Sequence, residues 1–329
     1  MLWGRACAAP NFTIALDDPA GRFAEASAPI RTNLRAAADA LGALLPSNAT
    51  ISILVRADES VPRATGRSAA AALLCRRGGR NVYLQGAAAK CLGVEMLIAP
   101  AADIEIALNP VFARDTLWYD PLPRVRVHAV PPDRIDAVSV FTRELLHAFA
   151  FNGWADHAAA SLPPTYCSTF DERISVRWDG VVFLGPRSSR IVPGGVPLTF
   201  GGIYAVGNQR PSIGSDLLTS VMNGVSFDYG RRYRLTALEV AMLNDAGLPT
   251  LPLCPGDATF DGVVNFDDLL AVMSSYGSQS LFPAPQPLAG DVTGDSRVDF
   301  ADMAAVLAAY GTPCGNPPAR PRPWEGFGQ

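Results

Sequence analysis

The sequence predicts an α+β domain with a mixed sheet and a central helix over residues 1–250, followed by a small all-α module over residues 254–314. Short β-prone runs separated by helical stretches lead into one long amphipathic helix at 138–154, which is typical of α+β proteins. Farther along, an acidic loop followed by an apolar helix occurs twice, starting at Asp257 and at Asp291. Residues 315–329 are rich in proline and are predicted to form a disordered tail.

Hydrophobic periodicity predicts the order of the first elements. They are a strand at 12–16, a helix at 30–45, a strand at 50–55, a helix at 68–74, and strands at 82–84 and 104–108. Pro46 ends the first helix, and Asn109-Pro110 ends the last strand. This order predicts a mixed sheet in front of the helix at 138–154.

The second half of the large domain is less regular. Residues 161–214 are rich in glycine and proline, with short strands expected at 174–178 and 181–184. Long connections of this kind usually carry function or wrap a site. A tight turn is predicted at Met222-Asn223-Gly224, and a capped helix at 236–246 stops at Gly247.

Composition excludes several classes of protein. The chain has 329 residues, 49% of them hydrophobic, and a formal net charge of -4. A domain of this size can bury a substantial core, and without a basic patch it is not expected to bind nucleic acid. No apolar run reaches about 18 residues, so no membrane span is expected. The first twelve residues are too short for a full secretory signal; they are a remnant of one, or the start is misassigned.

Six cysteines point to an exported protein. Cys254 and Cys314 bracket the small module and are the predicted disulfide, and Cys75 and Cys91, which flank a glycine-rich turn, are a second candidate pair. No C-x-x-C motif occurs, so neither a cysteine zinc site nor thioredoxin chemistry is expected. The two cysteines whose pairing stays open are Cys7 and Cys167.

The helix at 138–154 contains a pattern related to zinc hydrolases. In the motif H-E-x-x-H, two histidines on one helix face hold the metal and the glutamate is the general base. Here the letters are R-E-L-L-H, so Glu144 is the candidate base and His147 the candidate second ligand. Arg143 replaces the first ligand, and because arginine stays protonated in proteins it cannot bind zinc.

These residues carry a resemblance to a known family. The run ELLHAFAFNGW resembles the H-E-x-x-H-x-x-G-F helix of leishmanolysin-like zinc metallopeptidases, and SVMNG resembles the Met-turn of metzincins, with Met222 as its methionine. The resemblance implies a zincin-like fold and a third histidine ligand from the loop before the Met-turn, where Ala205 stands. Ala150 stands in place of the usual glycine. The implied zinc site is degenerate, and His157 is the candidate substitute ligand.

Three hypotheses for the large domain follow from these residues. The first is a pseudoenzyme, an inactive relative of the metallopeptidases that acts as a binding protein. The second is an active zinc metalloendopeptidase that uses His147, His157 or an unrecognised ligand, with Glu144 as the general base. The third is an extracellular module associated with polysaccharide. Zinc content separates the first two, a glycan-binding screen tests the third, and the sequence does not identify a substrate.

The repeated acidic loops predict two calcium sites, because calcium takes six to eight oxygen ligands and such a loop supplies them at positions one, three, five, seven, nine and twelve. Gly262 permits the bend at position six of the first loop, whereas Ser296 is expected to strain the second. The predicted ligands are Asp257, Thr259, Asp261, the Val263 carbonyl, Asn265 and Asp268, and then Asp291, Thr293, Asp295, the Arg297 carbonyl, Asp299 and Asp302.

The paired loop–helix units, with aspartate at position twelve and no entering helix, resemble a type I dockerin. The resemblance implies an exported bacterial protein, at the cell surface or outside the cell, that attaches to a cohesin-type partner. Positions ten and eleven, which usually form the recognition pair, are here Phe266-Asp267 and Phe300-Ala301. They lack the usual hydroxyl or basic side chains, so the expected partner departs from a standard cohesin.

Overall fold

The protein is described by a computed structural model that contains both helices and strands. It describes residues 9–96, 98–124, 126, 128–154, 163–177, 180–198, 220–223, 227–259, 263–279, 290–293 and 297–312. The strands are β1 (Asn11–Asp17), β2 (Thr50–Ala57), β3 (Ala64–Ser68), β4 (Ala71–Arg77), β5 (Arg80–Gln85), β6 (Ile104–Leu108), β7 (Leu117–Trp118), β8 (Ile135–Asp136), β9 (Tyr166–Ser168), β10 (Ile174–Arg177), β11 (Gly180–Phe183) and β12 (Val196–Leu198). The helices are α1 (Ser27–Gly42), α2 (Gly86–Cys91), α3 (Pro110–Asp115), α4 (Ala137–Phe149), α5 (Ser188–Ile191), α6 (Ala237–Asp245), α7 (Phe266–Ser274) and α8 (Phe300–Ala308).

A four-stranded sheet in the order β1-β2-β6-β3 positions the candidate site. The first three strands are parallel, and β3 is antiparallel at the edge. In β2, Ile51, Ile53 and Val55 are buried at alternate positions, so one face of the strand enters the core. Helices α1 and α4 pack against each other in the same core, and α4 also lies against β3. The sheet edge at β3 therefore lies beside the helix that carries Arg143 and Glu144.

The helix predicted at 68–74 is wrong. Ser68 ends β3, and residues from Ala71 onward form β4, which pairs with β5 in an antiparallel hairpin. The small apolar residues in this run are compatible with the periodicity of a helix and with that of a strand. The turn that follows them determines that they form a strand. Gly78 and Gly79 both have positive φ, 56° and 81°, as the two-residue turns that match the twist of a hairpin require.

The second disulfide candidate is also wrong. Cys75 lies in β4 and Cys91 ends α2, and both are free thiols in the structure, as is Cys167 in β9. Cys75 belongs to the β4–β5 hairpin, whereas Cys91 belongs to the separate helix that follows it. Cys254 is disulfide-bonded. Its predicted partner Cys314 lies outside the described residues, so that pairing stays a prediction.

The predicted helix at 138–154 is α4, which ends earlier, at Phe149. The chain leaves the helix at Ala150, where φ is -156°. Position 153 requires glycine because the backbone passes close to Asp171 there. A Cβ at this position would lie 2.1 Å from the Oδ1 atom of the Asp171 side chain. The predicted helix at 236–246 is α6, whose capping box joins Thr236 and Glu239.

Helices α7 and α8 share a small core of their own. Its buried residues include Val264, Val272, Val298 and Val306, which form two pairs spaced by the same interval as the loops. The backbone pairs across the repeat: Gly311 N donates to Val264 O at 2.8 Å, and Gly277 N donates to Val298 O at 2.8 Å. Each repeat therefore contributes to burying the apolar side chains of the other, as expected for units that cannot bury an apolar stripe alone.

Candidate functional site

A buried polar network fixes the start of α4. Asp136 caps the helix and accepts a hydrogen bond from Ser139 N at 2.9 Å. Asp136 also forms an ion pair with Arg126, and Tyr233 N donates to Ser139 Oγ at 2.9 Å. Because Tyr233 precedes α6, these contacts hold the first turn of α4 against the segment that follows the predicted Met-turn.

Strand β3 crosses α4 with no space for a side chain at Gly66. A Cβ at that position would lie 2.2 Å from the carbonyl oxygen of Glu144 and 2.7 Å from the Glu144 Cβ. Such a contact requires either the strand or the helix to move. Gly66 therefore permits the close approach that brings the edge of the sheet over the candidate base.

The guanidinium of Arg143 is bonded to the turn at residues 220–223. Its Nη1 atom donates to the carbonyl oxygen of Asn223 at 2.6 Å and to that of Val221 at 3.3 Å. Its Cζ atom lies 5.7 Å from the centroid of the Phe227 ring, within cation–π range. Burial lowers the pKa of Arg143 and the charge of Glu144 opposes that shift, so the guanidinium stays charged.

The chain turns at residues 220–223, where Asn223 N donates to Ser220 O at 3.1 Å; this turn overlaps the predicted Met222-Asn223-Gly224 turn, whose Gly224 lies outside the described residues. Met222 is fully buried, and its amide donates to Ser220 Oγ at 3.0 Å. The Ser220 hydroxyl in turn donates to Glu239 of α6. This turn therefore contacts both Glu239 of α6 and Arg143 of α4.

Glu144 is 5% exposed. Burial raises the pKa of Glu144 to about 7, although the charge of Arg143 and a backbone hydrogen bond from Gly66 act in the opposite direction. Near neutral pH the carboxyl group is therefore close to the midpoint of its titration. A group in that state can release or accept a proton at little cost.

His147 is buried one turn farther along α4. Its Nδ1 atom lies 2.9 Å from the carbonyl oxygen of Phe151. A carbonyl only accepts, so Nδ1 carries the hydrogen and Nε2 keeps its lone pair. Burial lowers the pKa of His147 to about 3, and the nearby charge of Arg143 lowers it further. The imidazole is therefore neutral at physiological pH.

A pocket of about 160 Å³ opens between β3, α3, α4 and the segment after the turn. Its polar wall consists of Arg63, Arg143 and Glu144, and its apolar wall includes Phe112, Ile135 and Phe227. His147 does not line it. The sequence pattern identified Arg143 and Glu144, but it missed the other lining residues, because they come from elements far apart in the chain.

The described residues do not complete a zinc site. Among them, no three His, Cys, Asp or Glu side chains come together in a way that could hold a metal ion. His147 is the one predicted zinc ligand within the described part of α4, and His157 and position 205 lie outside the described residues. The zinc ligand set of the sequence analysis therefore stays a prediction.

In the first predicted calcium loop, Asp268 is the centre of a hydrogen-bond network. Its Oδ1 atom accepts from the amide and the hydroxyl of Thr259, both at 2.9 Å, and its Oδ2 atom accepts from Asn265 N at 2.7 Å. Asn265 Oδ1 also caps α7 by accepting from Asp267 N at 2.7 Å. Asp257 and Asp268 are both buried. The predicted ligands at positions three, nine and twelve thus also hold the loop to its helix.

The second loop repeats this arrangement. Asp302 Oδ1 accepts from the amide and hydroxyl of Thr293 at 3.0 Å, and Oδ2 accepts from Asp299 N at 2.9 Å. Asp299 Oδ1 caps α8 by accepting from Ala301 N at 2.7 Å. Asp291, Val263 and Arg297 also belong to the described loops, whereas Asp261, Asp295 and both position-six residues lie outside the described residues.

Comparison with known proteins adds no relative. No family model matches the sequence, and neither a curated protein nor a solved structure matches it. Among the described residues, no helix has the length and apolar character needed to cross a membrane.

Proposed function

We propose that this chain is an exported calcium-binding protein whose N-terminal unit, of zincin-like fold, binds a ligand and does not catalyse zinc-dependent proteolysis. The observation that carries the proposal is the environment of Arg143. Its guanidinium is bonded to the carbonyl oxygens of Val221 and Asn223, so the cation is part of the structural framework. A fixed positive charge at the position of the first ligand repels a divalent metal.

A catalytic zinc needs three protein ligands and an open position for water. When zinc is bound, it lowers the pKa of that water toward about 7 and so provides the nucleophile. Arg143 removes one ligand, and Ala205 stands where the resemblance implies another. Glu144 then has no activated water to deprotonate. What remains is a buried carboxyl group beside a pocket, which is suited to binding.

One observation favours the alternative of an active zinc metalloendopeptidase. His147 is neutral, and its Nδ1–H faces the Phe151 carbonyl, which leaves Nε2 available. Zinc-binding histidines commonly make this hydrogen bond to a carbonyl group. His157 would then have to supply a second ligand and a further residue a third.

Metal analysis decides between these functions. The full-length protein, purified without chelator, is expected to contain less than stoichiometric zinc and to cleave casein no faster than Glu144→Gln. Exposed Glu59→Gln serves as a control for loss of a carboxylate elsewhere. One zinc per chain together with proteolysis that Glu144→Gln abolishes would establish the peptidase and refute the binding function.

For the C-terminal module we propose a dockerin-like role, calcium-dependent attachment to a cohesin-type partner. The donor set fits calcium, because each loop offers carboxylates at positions one, five and twelve and a carbonyl at position seven. Bound calcium would neutralise those carboxylates. Calorimetry at millimolar calcium is expected to show two sites, and chelation is expected to reduce the helix signal in circular dichroism. No heat of calcium binding would refute this role.

The partner surface proposed for this module lies on both helices. Phe266, Met273 and Tyr276 are exposed along α7 and its end, and the equivalent residues of the second repeat are exposed as well. Exposed apolar side chains in a repeated row are typical of a protein interface. The equivalent residues are Phe300, Leu307 and Tyr310. A Phe266→Ser, Phe300→Ser double variant that still binds calcium is expected to lose capture by an immobilised cohesin-type domain selected because it retains the parent protein.

A further inference from the structure

The pocket beside α4 combines one anchored cation with a wall that is partly polar and partly apolar. Arg143 uses its Nη1 atom to hold the turn. Within the described residues, its Nε and Nη2 atoms donate to no other group, and neither is a buried atom cut off from solvent. These two atoms form the planar edge of a guanidinium that matches a carboxylate. Arg143 is therefore positioned and still has one binding edge available.

The second polar feature is a carboxyl group with few partners. Glu144 is 5% exposed and lines the pocket, and no described side chain donates to it. The backbone of Gly66 donates one hydrogen bond to this carboxyl group, and because Glu144 lines the pocket its remaining hydrogen-bonding positions can be used by a ligand. A protonated Glu144 can donate to an anion bound by Arg143, which would satisfy both residues together.

The size and the aromatic wall limit what can enter. A volume of about 160 Å³ is close to that of a cavity that holds one benzene molecule (~150 Å³). The side chains of Phe112, Ile135 and Phe227 line it. An aromatic ring or a short branched aliphatic group therefore fits against this wall, whereas a sugar ring would leave the hydroxyl groups that face it without partners.

We propose that this pocket binds a carboxylate joined to an apolar group of about the size of a benzene ring, with Arg143 as the anchor and Arg63 at the rim. A metal cation is repelled by the two arginines. A phosphate dianion would place excess negative charge beside Glu144, whereas a carboxylate monoanion balances Arg143. The assignment rests on the proposed binding function, because it requires that zinc not occupy this position.

The proposed ligand could be a free acid or the C-terminal residue of a peptide, since both present the same carboxylate. Calorimetry on the full-length protein with 3-phenylpropionate tests the chemistry, and N-acetylphenylalanine tests the peptide source. Saturable binding of the acid is expected, with affinity for the neutral 3-phenylpropionamide lower by about tenfold or more. Tighter binding of N-acetylphenylalanine identifies a peptide terminus, and tighter binding of 3-phenylpropionate identifies a free acid.

Variants test the anchor. Arg143→Gln is expected to abolish detectable binding, and Arg63→Gln to weaken it by roughly threefold, as expected for an exposed charge. Arg67→Gln is the matched control, because Arg67 lies in β3, pairs with Glu105 and is absent from the pocket. Since Arg143 also holds the turn, its variant is checked by thermal unfolding, while Arg63→Gln does not disturb the core.

Three outcomes would overturn the assignment. If acid and amide bind equally, the pocket does not recognise charge. If Arg63→Gln and Arg67→Gln bind the acid equally well, the rim charge does not belong to the site. Zinc content measured on the same sample keeps the proposals apart: a zinc-free protein that binds no acid refutes this pocket alone, whereas a zinc-containing protease refutes the proposed function.

Discussion

Two buried carboxyl groups, Glu144 in α4 and Asp268 in α7, have different environments in the two units. Asp268 accepts hydrogen bonds from both donors of Thr259 and from the amide of Asn265. Glu144 is equally hidden from bulk water but lies beside a pocket, and burial raises its pKa to about 7. Protein donors compensate the charge of the first group, whereas for the second the cost of burial outweighs the favourable effects of Arg143 and the Gly66 amide.

The carboxylate of Asp268 therefore has a structural role, whereas the protonation state of Glu144 responds to pH. The network at Asp268 is repeated at Asp302, as expected if the fold of each loop requires it. The environment of Glu144 occurs once and includes an unfilled space and a positive charge. Replacing each carboxylate by its amide is therefore expected to change stability in opposite directions.

The largest expected effect is at Asp268. Asp268→Asn replaces an oxygen acceptor by a donor that faces buried N–H and O–H groups, which is expected to cost about 4 kcal/mol. The expected result is loss of the module's helix signal in circular dichroism at millimolar calcium, where the parent module is expected to be folded. Asp267→Asn, an exposed neighbour in the same helix turn, is the control and is expected to unfold like the parent protein. Equal stability of both variants would show that the network at Asp268 is not structural.

The opposite sign is expected for Glu144→Gln. The folded pKa of Glu144, about 7, is above the unfolded value of 4.5, so its contribution to stability is full below pH 4.5 and is lost as pH rises through 7. At about 1.4 kcal/mol per pKa unit, the amide is expected to stabilise the folded protein by roughly 3 kcal/mol at pH 8 and by little at pH 4. Urea unfolding at the two pH values measures this difference. A destabilised variant at pH 8 would mean that Arg143 and the Gly66 amide outweigh the cost of burying the ionised carboxylate.

His147 adds a second pH-dependent contribution to stability, which becomes visible in the Glu144→Gln variant. Its folded pKa, about 3, is below the unfolded value of 6.5, so stability is lost as pH falls below 6.5. Between pH 4.5 and 6.5 the unfolded chain carries a proton on His147 and the folded chain carries one on Glu144. The two effects cancel in the parent protein. Glu144→Gln removes the compensation, so its stability is expected to fall with acid from pH 6.5 downward, where the parent curve is flat.

Part of this architecture could be predicted from local sequence. The strand at 104–108 coincides with β6, and the capped helix before Gly247 coincides with α6. Both have strong local signals, β-branched alternation in one and a capping box in the other. The run that became β4 has no such signal, and only its pairing with β5 across Gly78-Gly79 determines its structure.

The candidate site could be predicted only in part, for a related reason. Spacing on one helix identified Glu144 and His147, because neighbours at three residues share a face. The contacts that define Arg143 come from Val221 and Asn223, about eighty residues away, and from Phe227. No periodic pattern connects those positions. The predicted calcium loops have a stronger local pattern, since each loop's predicted side-chain ligands fall within twelve consecutive residues and the loop is repeated.

The smallest expected effect concerns the difference between the two calcium loops. Position six is Gly262 in the first loop and Ser296 in the second, and both residues lie outside the described part of the chain. In calcium loops of this length, glycine at position six allows the sharp turn. A serine held in the left-handed region costs on the order of 1 kcal/mol, so Ser296→Gly is expected to tighten the weaker calcium site by about fivefold. Calorimetric titration resolves the two sites, and Ser275→Gly, at the end of α7 and away from the calcium ligands, is the control. Equal affinities for both loops in the parent protein would show that serine is accommodated at this position, and the two repeats would then be equivalent in binding as well as in their hydrogen bonds.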